Sequence, residues 1–264
     1  MNSILILGCG NMGGAMLAGW LAAGLDPARF TVVDPFLAKA PAGVKLLRDM
    51  PAAKFGTVLL GVKPQTIDAA AKALAPAIGP QTVVLSILAG TEIASLAARL
   101  PGAPIIVRIM PNLAAAIGKS PLGLFSRGLD VAGKAQLESL LAPLGTPEWL
   151  ASEAQLDAVT ALAGSGPAFV YRFIDALGAG GADLGLDPAQ AARLALTMVE
   201  GAATLAARAD TAPADLAARV TSPGGTTAAG LAVLDQDQAL QTLVAATLSA
   251  ARDRGAELAA ASRR

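Results

Sequence analysis

The first half of the chain sets short, unbroken apolar runs between stretches with helical spacing. Ser3–Leu7 is such a run, ending at Gly8, and Asn11–Ala23 then reads as a helix. Phe30–Val33 is a second strand, closed by Asp34 and Pro35. Thr57–Val62 is a third, followed by a helix over Gln65–Leu74. Thr82–Ile87 and Ile105–Ile109 repeat the strand pattern, with a helix over Glu92–Leu100 between them. Leu122–Phe125, a helix over Val131–Leu141 and a short strand around Pro147–Leu150 complete this half. Strands alternating with helices predict an α/β fold with a doubly wound, mostly parallel sheet.

Past Ala151 the pattern changes. Glu153–Leu162, Pro167–Leu184, Pro188–Ala209, Pro213–Val220, Gly225–Leu234 and Gln238–Ala260 all read as helical, with no convincing strand among them. Asp187-Pro188 and Ser222-Pro223 mark helix starts, because proline is tolerated in the first turn. The expected organisation is a sheet domain over residues 1–150 and an all-helical domain over residues 151–264.

Composition narrows the function. Apolar residues make up 54% of the chain and aromatics only 3%, so the helices pack through small side chains. The net charge is zero and no Lys/Arg block occurs, which argues against a nucleic-acid partner. The single cysteine, Cys9, cannot form an internal disulfide, which suits a reducing cytoplasm. No charged residue precedes Asp26, yet the apolar start lacks a basic flank and is broken by Gly8, Gly10, Gly13 and Gly14. Neither a secretory leader nor a membrane span is expected there.

Several familiar catalytic groups are missing. There is no histidine, hence no imidazole base and no imidazole metal ligand, and no metal site is expected. Tyr171 has Asp175 four positions on, so no Tyr-x-x-x-Lys dyad exists. Every lysine lies at or before Lys134, which leaves the helical half without one.

Two glycine strings carry the positive signal. Gly8-Cys9-Gly10-Asn11-Met12-Gly13 follows a strand and opens a helix, the context a dinucleotide fingerprint requires. The first glycine allows the turn, the second lets the backbone approach a pyrophosphate, and the third lets helix and strand pack closely. Asp34 ends the next strand about 20 residues on, where an acidic side chain holds the ribose hydroxyls of NAD and repels the extra phosphate of NADP. A preference for NADH is expected on that ground, with a plain Asp-Pro turn as the alternative. Lys63, in Gly61-Val62-Lys63-Pro64 at a strand end, is either a cation beside the cofactor or a solvated loop lysine.

The second string is Ser222-Pro223-Gly224-Gly225-Thr226-Thr227. A capping serine, two glycines and two threonine hydroxyls at a helix start make a carboxylate cradle, or else a glycine-rich turn between helices. Ala163–Ala168 combines small residues with another helix start, and close packing explains it fully. Cys9 reads as a small buried residue, since no histidine can activate it.

Taken together, Gly8–Gly13, Val62-Lys63-Pro64, Ser86–Gly90, Met110-Pro111-Asn112, Ala163–Ala168 and Ser222–Thr227 resemble the pyrroline-5-carboxylate reductase family, in order and over nearly the whole length. The resemblance implies a Rossmann domain followed by a helical dimerisation domain, in an intertwined homodimer or larger ring. It implies reduction of the cyclic imine 1-pyrroline-5-carboxylate to proline by NAD(P)H, in a cleft completed by the partner subunit. Cofactor contacts would fall to Gly8, Gly10, Asn11, Met12 and Gly13, and to the turns at Val62, Lys63, Pro64, Ala89 and Gly90. The substrate carboxylate would fall to Ser222, Gly224, Gly225, Thr226 and Thr227, with Thr227 nearest the ring nitrogen as catalytic partner.

The chain departs from the family pattern at Leu113-Ala114, Lys119 and Ala217-Ala218, and its Asp34–Thr57 segment is short. Two other functions compete: reduction of a different cyclic imine or small keto acid, and NAD(H) binding without turnover. A β-hydroxyacid dehydrogenase is disfavoured, because it needs a lysine in the second domain.

Overall fold

The computed structural model describes residues 3–262. Two compact units emerge: one runs to Gly164 and takes in the chain again from Ala251, and the other is Ser165–Ala250.

The first unit is built on an eight-stranded sheet. Its strands are β1 (Ile4–Leu7), β2 (Phe30–Val33), β3 (Lys45–Leu47), β4 (Thr57–Leu60), β5 (Val83–Ser86), β6 (Ile105–Met110), β7 (Ser120–Ser126) and β8 (Gly145–Trp149). They lie in the order β3-β2-β1-β4-β5-β6-β7-β8. All pairings are parallel except β6 with β7. The central strands are apolar at nearly every position because both sheet faces are covered.

Successive residues point to opposite faces, so Ile4 and Ile6 enter one core while Leu5 and Leu7 enter the other. The first core takes Met16, Leu17 and Trp20 from α1 (Asn11–Ala22), and Leu137 and Leu141 from α4 (Val131–Leu141). Trp20 stacks on Phe30 and donates its indole N–H to the Leu140 carbonyl at 2.7 Å, locking α1 beside the end of α4. The second core takes Ile67, Ala70 and Leu74 from α2 (Ile67–Leu74), and Ile93 and Leu96 from α3 (Ile93–Arg99).

After β8 the chain forms α5 (Gln155–Val159) and a π turn, Thr160–Gly164. Leu156 and Ala161 are buried there. The unit therefore ends at Gly164, past the expected boundary near residue 151. The first turns of the expected helical domain pack as part of the sheet layer.

The second unit contains α6 (Gly166–Asp183), α7 (Pro188–Arg208), α8 (Pro213–Arg219), α9 (Thr226–Asp235) and the start of α10 (Ala239–Ser262). Asp187 caps α7 by accepting from the Gln190 N–H, and Gly178 of α6 meets the backbone of α7 at Ala192. Little else is buried. Val170, Tyr171, Phe173, Leu194, Leu196, Met198, Val233 and Leu243 are all exposed in the single chain. That much uncovered apolar surface marks an interface between chains.

Candidate active site

β1 and β4 are neighbours, yet the chain visits β2 and β3 on one side of β1 before returning to β4 on the other. Their carboxyl ends flank the point where strand order reverses, which is where doubly wound sheets take ligands. The turns that follow them interlock. Gly8 has φ +85°, and a Cβ on it would lie 2.8 Å from the Gly61 carbonyl oxygen. A Cβ on Gly13 would lie 2.6 Å from the Gly8 carbonyl oxygen.

Gly10 is the contrast. A Cβ there would meet nothing within 4 Å, and Gly10 is the uncapped N-cap of α1. The first-turn N–H groups, at Asn11, Met12 and Gly13, have no intrahelical acceptor, and the helix dipole lies behind them. A compact anion fits this position, and the pyrophosphate of a dinucleotide is such a group. Cys9 contributes no thiolate, because burial and then the charge of Asp34 push its pKa up.

Asp34 stands at the end of β2, as expected of the ribose-binding acid, but its carboxylate is turned inward. One oxygen accepts from the Cys9 N–H at 2.8 Å; the other accepts from Phe36 and Leu37 N–H at 2.8 and 3.1 Å. The residue is 9% exposed. It ties the fingerprint turn to the loop after β2, so the turn reading considered for it describes its contacts here. Beside it, Arg48 follows β3 and donates Nη1–H to the Asp34 carbonyl at 2.7 Å and the Leu37 carbonyl at 2.8 Å.

The remaining expected cofactor residues lie along the same sheet edge. Val62, Lys63 and Pro64 follow β4; the Lys63 carbonyl accepts from Thr66 and starts a 3-10 turn, while the ammonium is exposed. Ala89 and Gly90 follow β5; Gly90 has φ +71° and packs against Ala259 of α10. A polar cavity of ≈ 370 Å³ opens beside Gly90, lined in part by Arg108, Arg127, Glu153 and Asp157.

Ser222–Thr227 lies in the other unit. Gly224 has φ +69°, the Gly225 N–H closes the turn onto the Ser222 carbonyl, and Gly225 is the N-cap of α9 with no side-chain cap. Ser222, Gly224, Thr226 and Thr227 are exposed. The N–H groups of Thr226, Thr227 and Ala228 precede the first intrahelical bond, and with two threonine hydroxyls they stand at an exposed helix start, as a carboxylate cradle needs.

Three further features were not among the expected site residues, and the first two carry no sequence motif. Arg48 is one. The second is Arg108 with Glu153, a pair whose side chains are 5% and 13% exposed, at 3.0 Å. Glu153 also accepts from the Ile93 N–H and pairs with Arg127 at 3.3 Å, which joins β6, α3 and the approach to α5. The third is Asn112, at the end of β6. Its N–H donates to Ser120 Oγ, its Nδ2 to the Ala163 carbonyl, and its Oδ1 accepts from Ala114 N–H.

Comparison with known proteins decides the family. Residues 153–258 match the family described as pyrroline-5-carboxylate reductase dimerisation, and residues 3–90 match NADP oxidoreductase coenzyme F420-dependent. A pyrroline-5-carboxylate reductase of Pseudomonas aeruginosa is 38% identical over 264 residues, covering 97% of this chain and 96% of the relative. The chain belongs to the pyrroline-5-carboxylate reductase family. The structure of a pyrroline-5-carboxylate reductase from Coxiella burnetii superposes with a TM-score of 0.90 at 32% identity, covering 97% of this chain and 98% of that one. A pyrroline carboxylate reductase of Plasmodium falciparum, solved with NADP bound, shares the fold at 23% identity with a TM-score of 0.83, covering 97% and 98% of the two chains. The family's dimerisation segment coincides with the region whose apolar side chains lie uncovered. Among the described residues no helix is long and apolar enough to cross a membrane.

Proposed function

We propose that this chain reduces the ring imine of 1-pyrroline-5-carboxylate to proline with NAD(P)H. The observation that carries the reading is the match to reductases of this name over nearly the full length. The local geometry supports each half of it: an anion position at Gly10 and an exposed carboxylate cradle at α9.

Bound NAD(P)H supplies a hydride to the imine carbon. Gly10, Asn11, Met12 and Gly13 would hold the pyrophosphate at the start of α1, and Gly8, whose N–H donates to the Val33 carbonyl, makes the turn that leaves room for it. The turns at Val62, Lys63 and Pro64 and at Ala89 and Gly90 border the dinucleotide along the same sheet edge. The N–H groups of Thr226 and Thr227 and the Thr226 hydroxyl bind the substrate carboxylate with Ser222. Gly224 and Gly225 shape the turn that presents them.

Thr227 hydrogen-bonds the ring nitrogen, which already carries its proton when the carbon gains its hydride. A threonine hydroxyl is a poor acid, so water supplies the proton and Thr227 orients the nitrogen. The chain's contribution is mainly positioning, since a protonated imine is already electrophilic and needs no histidine base. The sheet unit serves the dinucleotide, and Ser165–Ala250 serves substrate and dimer. One unpaired cysteine suits a cytoplasmic enzyme.

The expected NADH preference rests on Asp34, whose oxygens accept from three backbone N–H groups.

The test is product analysis after incubation with racemic pyrroline-5-carboxylate and either nucleotide. One proline formed per nucleotide oxidised supports the reading. A folded protein that binds nucleotide and forms no proline overturns it in favour of another imine or of binding alone.

A further inference from the structure

We propose that Arg48 is the coenzyme-selecting residue of this chain: a fixed, unpaired guanidinium at the adenosine end of the dinucleotide site that accepts the 2′-phosphate of NADPH. The inference rests on the assignment of the Gly8–Gly13 turn as the pyrophosphate site.

Placement comes first. β3 runs parallel beside β2 with Leu47 opposite Val33, so Arg48 stands beside Asp34 at the carboxyl edge of the sheet. On a doubly wound fold the adenosine ribose of a dinucleotide lies at the end of β2, and its 2′ substituent faces whatever side chain is offered there. Asp34 offers little, because both oxygens are turned onto backbone N–H groups and the residue is 9% exposed. Arg48 is exposed. The outward charge at this point is therefore the guanidinium.

The guanidinium is also held and free to bind. Nη1 is anchored by two carbonyls, at 2.7 and 2.8 Å, which fixes the plane of the group. Nε and Nη2 have no partner among the described residues, and Arg48 makes no ion pair there. A planar fork with two unsatisfied donors and a full charge matches two oxygens of a phosphate monoester. The anchoring carbonyls belong to the loop that Asp34 organises. Asp34 thus serves NADPH use indirectly, by shaping the seat of the arginine.

The experiment is calorimetric titration of wild type, Arg48→Gln and Arg48→Lys with NADPH, NADH, 2′,5′-ADP and 5′-ADP. Wild type should bind NADPH at least as tightly as NADH. Arg48→Gln should weaken NADPH and 2′,5′-ADP by about tenfold or more, and NADH and 5′-ADP by no more than about twofold. Arg48→Lys, which keeps the charge and loses the fork, should fall between. The NADPH affinity of wild type should also drop more steeply with salt than that of Arg48→Gln.

Equal weakening of all four ligands in Arg48→Gln would overturn the proposal and leave Arg48 as a loop latch. An unchanged NADPH-to-NADH ratio in that variant would overturn it as well. Failure of all four ligands to bind folded wild type would instead remove the dinucleotide site on which the inference rests.

Discussion

Replacing Gly10 by alanine separates coenzyme binding from folding. Gly10 has φ −70° and ψ −161°, a conformation open to any residue, and its Cβ would meet nothing within 4 Å. As an N-cap, alanine is worse than glycine by roughly 0.5–1 kcal/mol. The loss of unfolded-state freedom returns about 0.4–1 kcal/mol. Stability should therefore stay within about 1 kcal/mol, which for a chain of this size moves Tm by roughly 2–4 °C. The new methyl nevertheless stands where the pyrophosphate meets the first turn of α1. Displacing one phosphate–N–H bond forfeits about 1.5–3 kcal/mol, or about 10- to 100-fold in Kd.

Gly13→Ala behaves differently. Its Cβ falls 2.6 Å from the Gly8 carbonyl oxygen, a backbone atom fixed by β1, and the strain costs about 1–3 kcal/mol. That variant should lose Tm and coenzyme affinity together. The assay is thermal unfolding beside titration of NADH and NADPH. Wild-type affinity in a folded Gly10→Ala protein would show that no phosphate approaches α1 there, and the site assignment would fall with it.

Other expectations are equally direct. Thr227→Ala should lower turnover by about 10-fold or more with little change in coenzyme affinity, and Thr227→Ser should restore most of it; an unchanged kcat removes Thr227 from the mechanism. Glu153→Ala leaves Arg108 charged, 5% exposed and without its carboxylate partner, and should cost about 3–5 kcal/mol in denaturant unfolding; a loss under about 1 kcal/mol would show the pair to be incidental. Because the Cys9 thiol has a raised pKa in the folded chain, the unfolded chain ionises first, so Cys9 contributes a loss of stability as pH rises through the ordinary thiol range near about 8.5. Cys9→Ala should flatten that part of the stability–pH curve, and an unaltered curve would contradict it. The exposed apolar surface of Ser165–Ala250 predicts at least a dimer in sedimentation at micromolar concentration, and a stable monomer would refute that reading.

The sheet was legible because its central strands are covered on both faces, which leaves unbroken apolar runs such as Thr57–Leu60. β3 carries no such signal for the opposite reason: it is three residues long, begins with exposed Lys45 and pairs only at the sheet edge. β7 extends to Ser120 and Ser126, beyond its expected apolar centre, because both neighbours supply backbone partners. The helix expected over Glu153–Leu162 exists as α5 plus a π turn, and the Ala163 carbonyl there is held by Asn112, 51 residues back.

Backbone-defined parts of the site were visible in the glycines, whose spacing alone dictates a turn and a helix start. Side-chain-defined parts were not. Arg48 meets the Asp34 carbonyl across 14 residues, and Arg108 meets Glu153 across 45, so no local pattern announces either contact. Asp34 shows the limit most clearly: its position was foreseen, but the direction of its carboxylate depends on three N–H groups that only the folded loop brings together.

The central claim is that this chain delivers a hydride to the imine carbon of pyrroline-5-carboxylate. Its most direct test uses NAD(P)H carrying deuterium at the transferred position and racemic pyrroline-5-carboxylate, with mass and NMR analysis of the product. The account predicts proline with one deuterium on the ring CH2 carbon bonded to nitrogen, the former imine carbon, formed as fast as nucleotide is oxidised. Unlabelled proline, or nucleotide oxidation without proline, would contradict it.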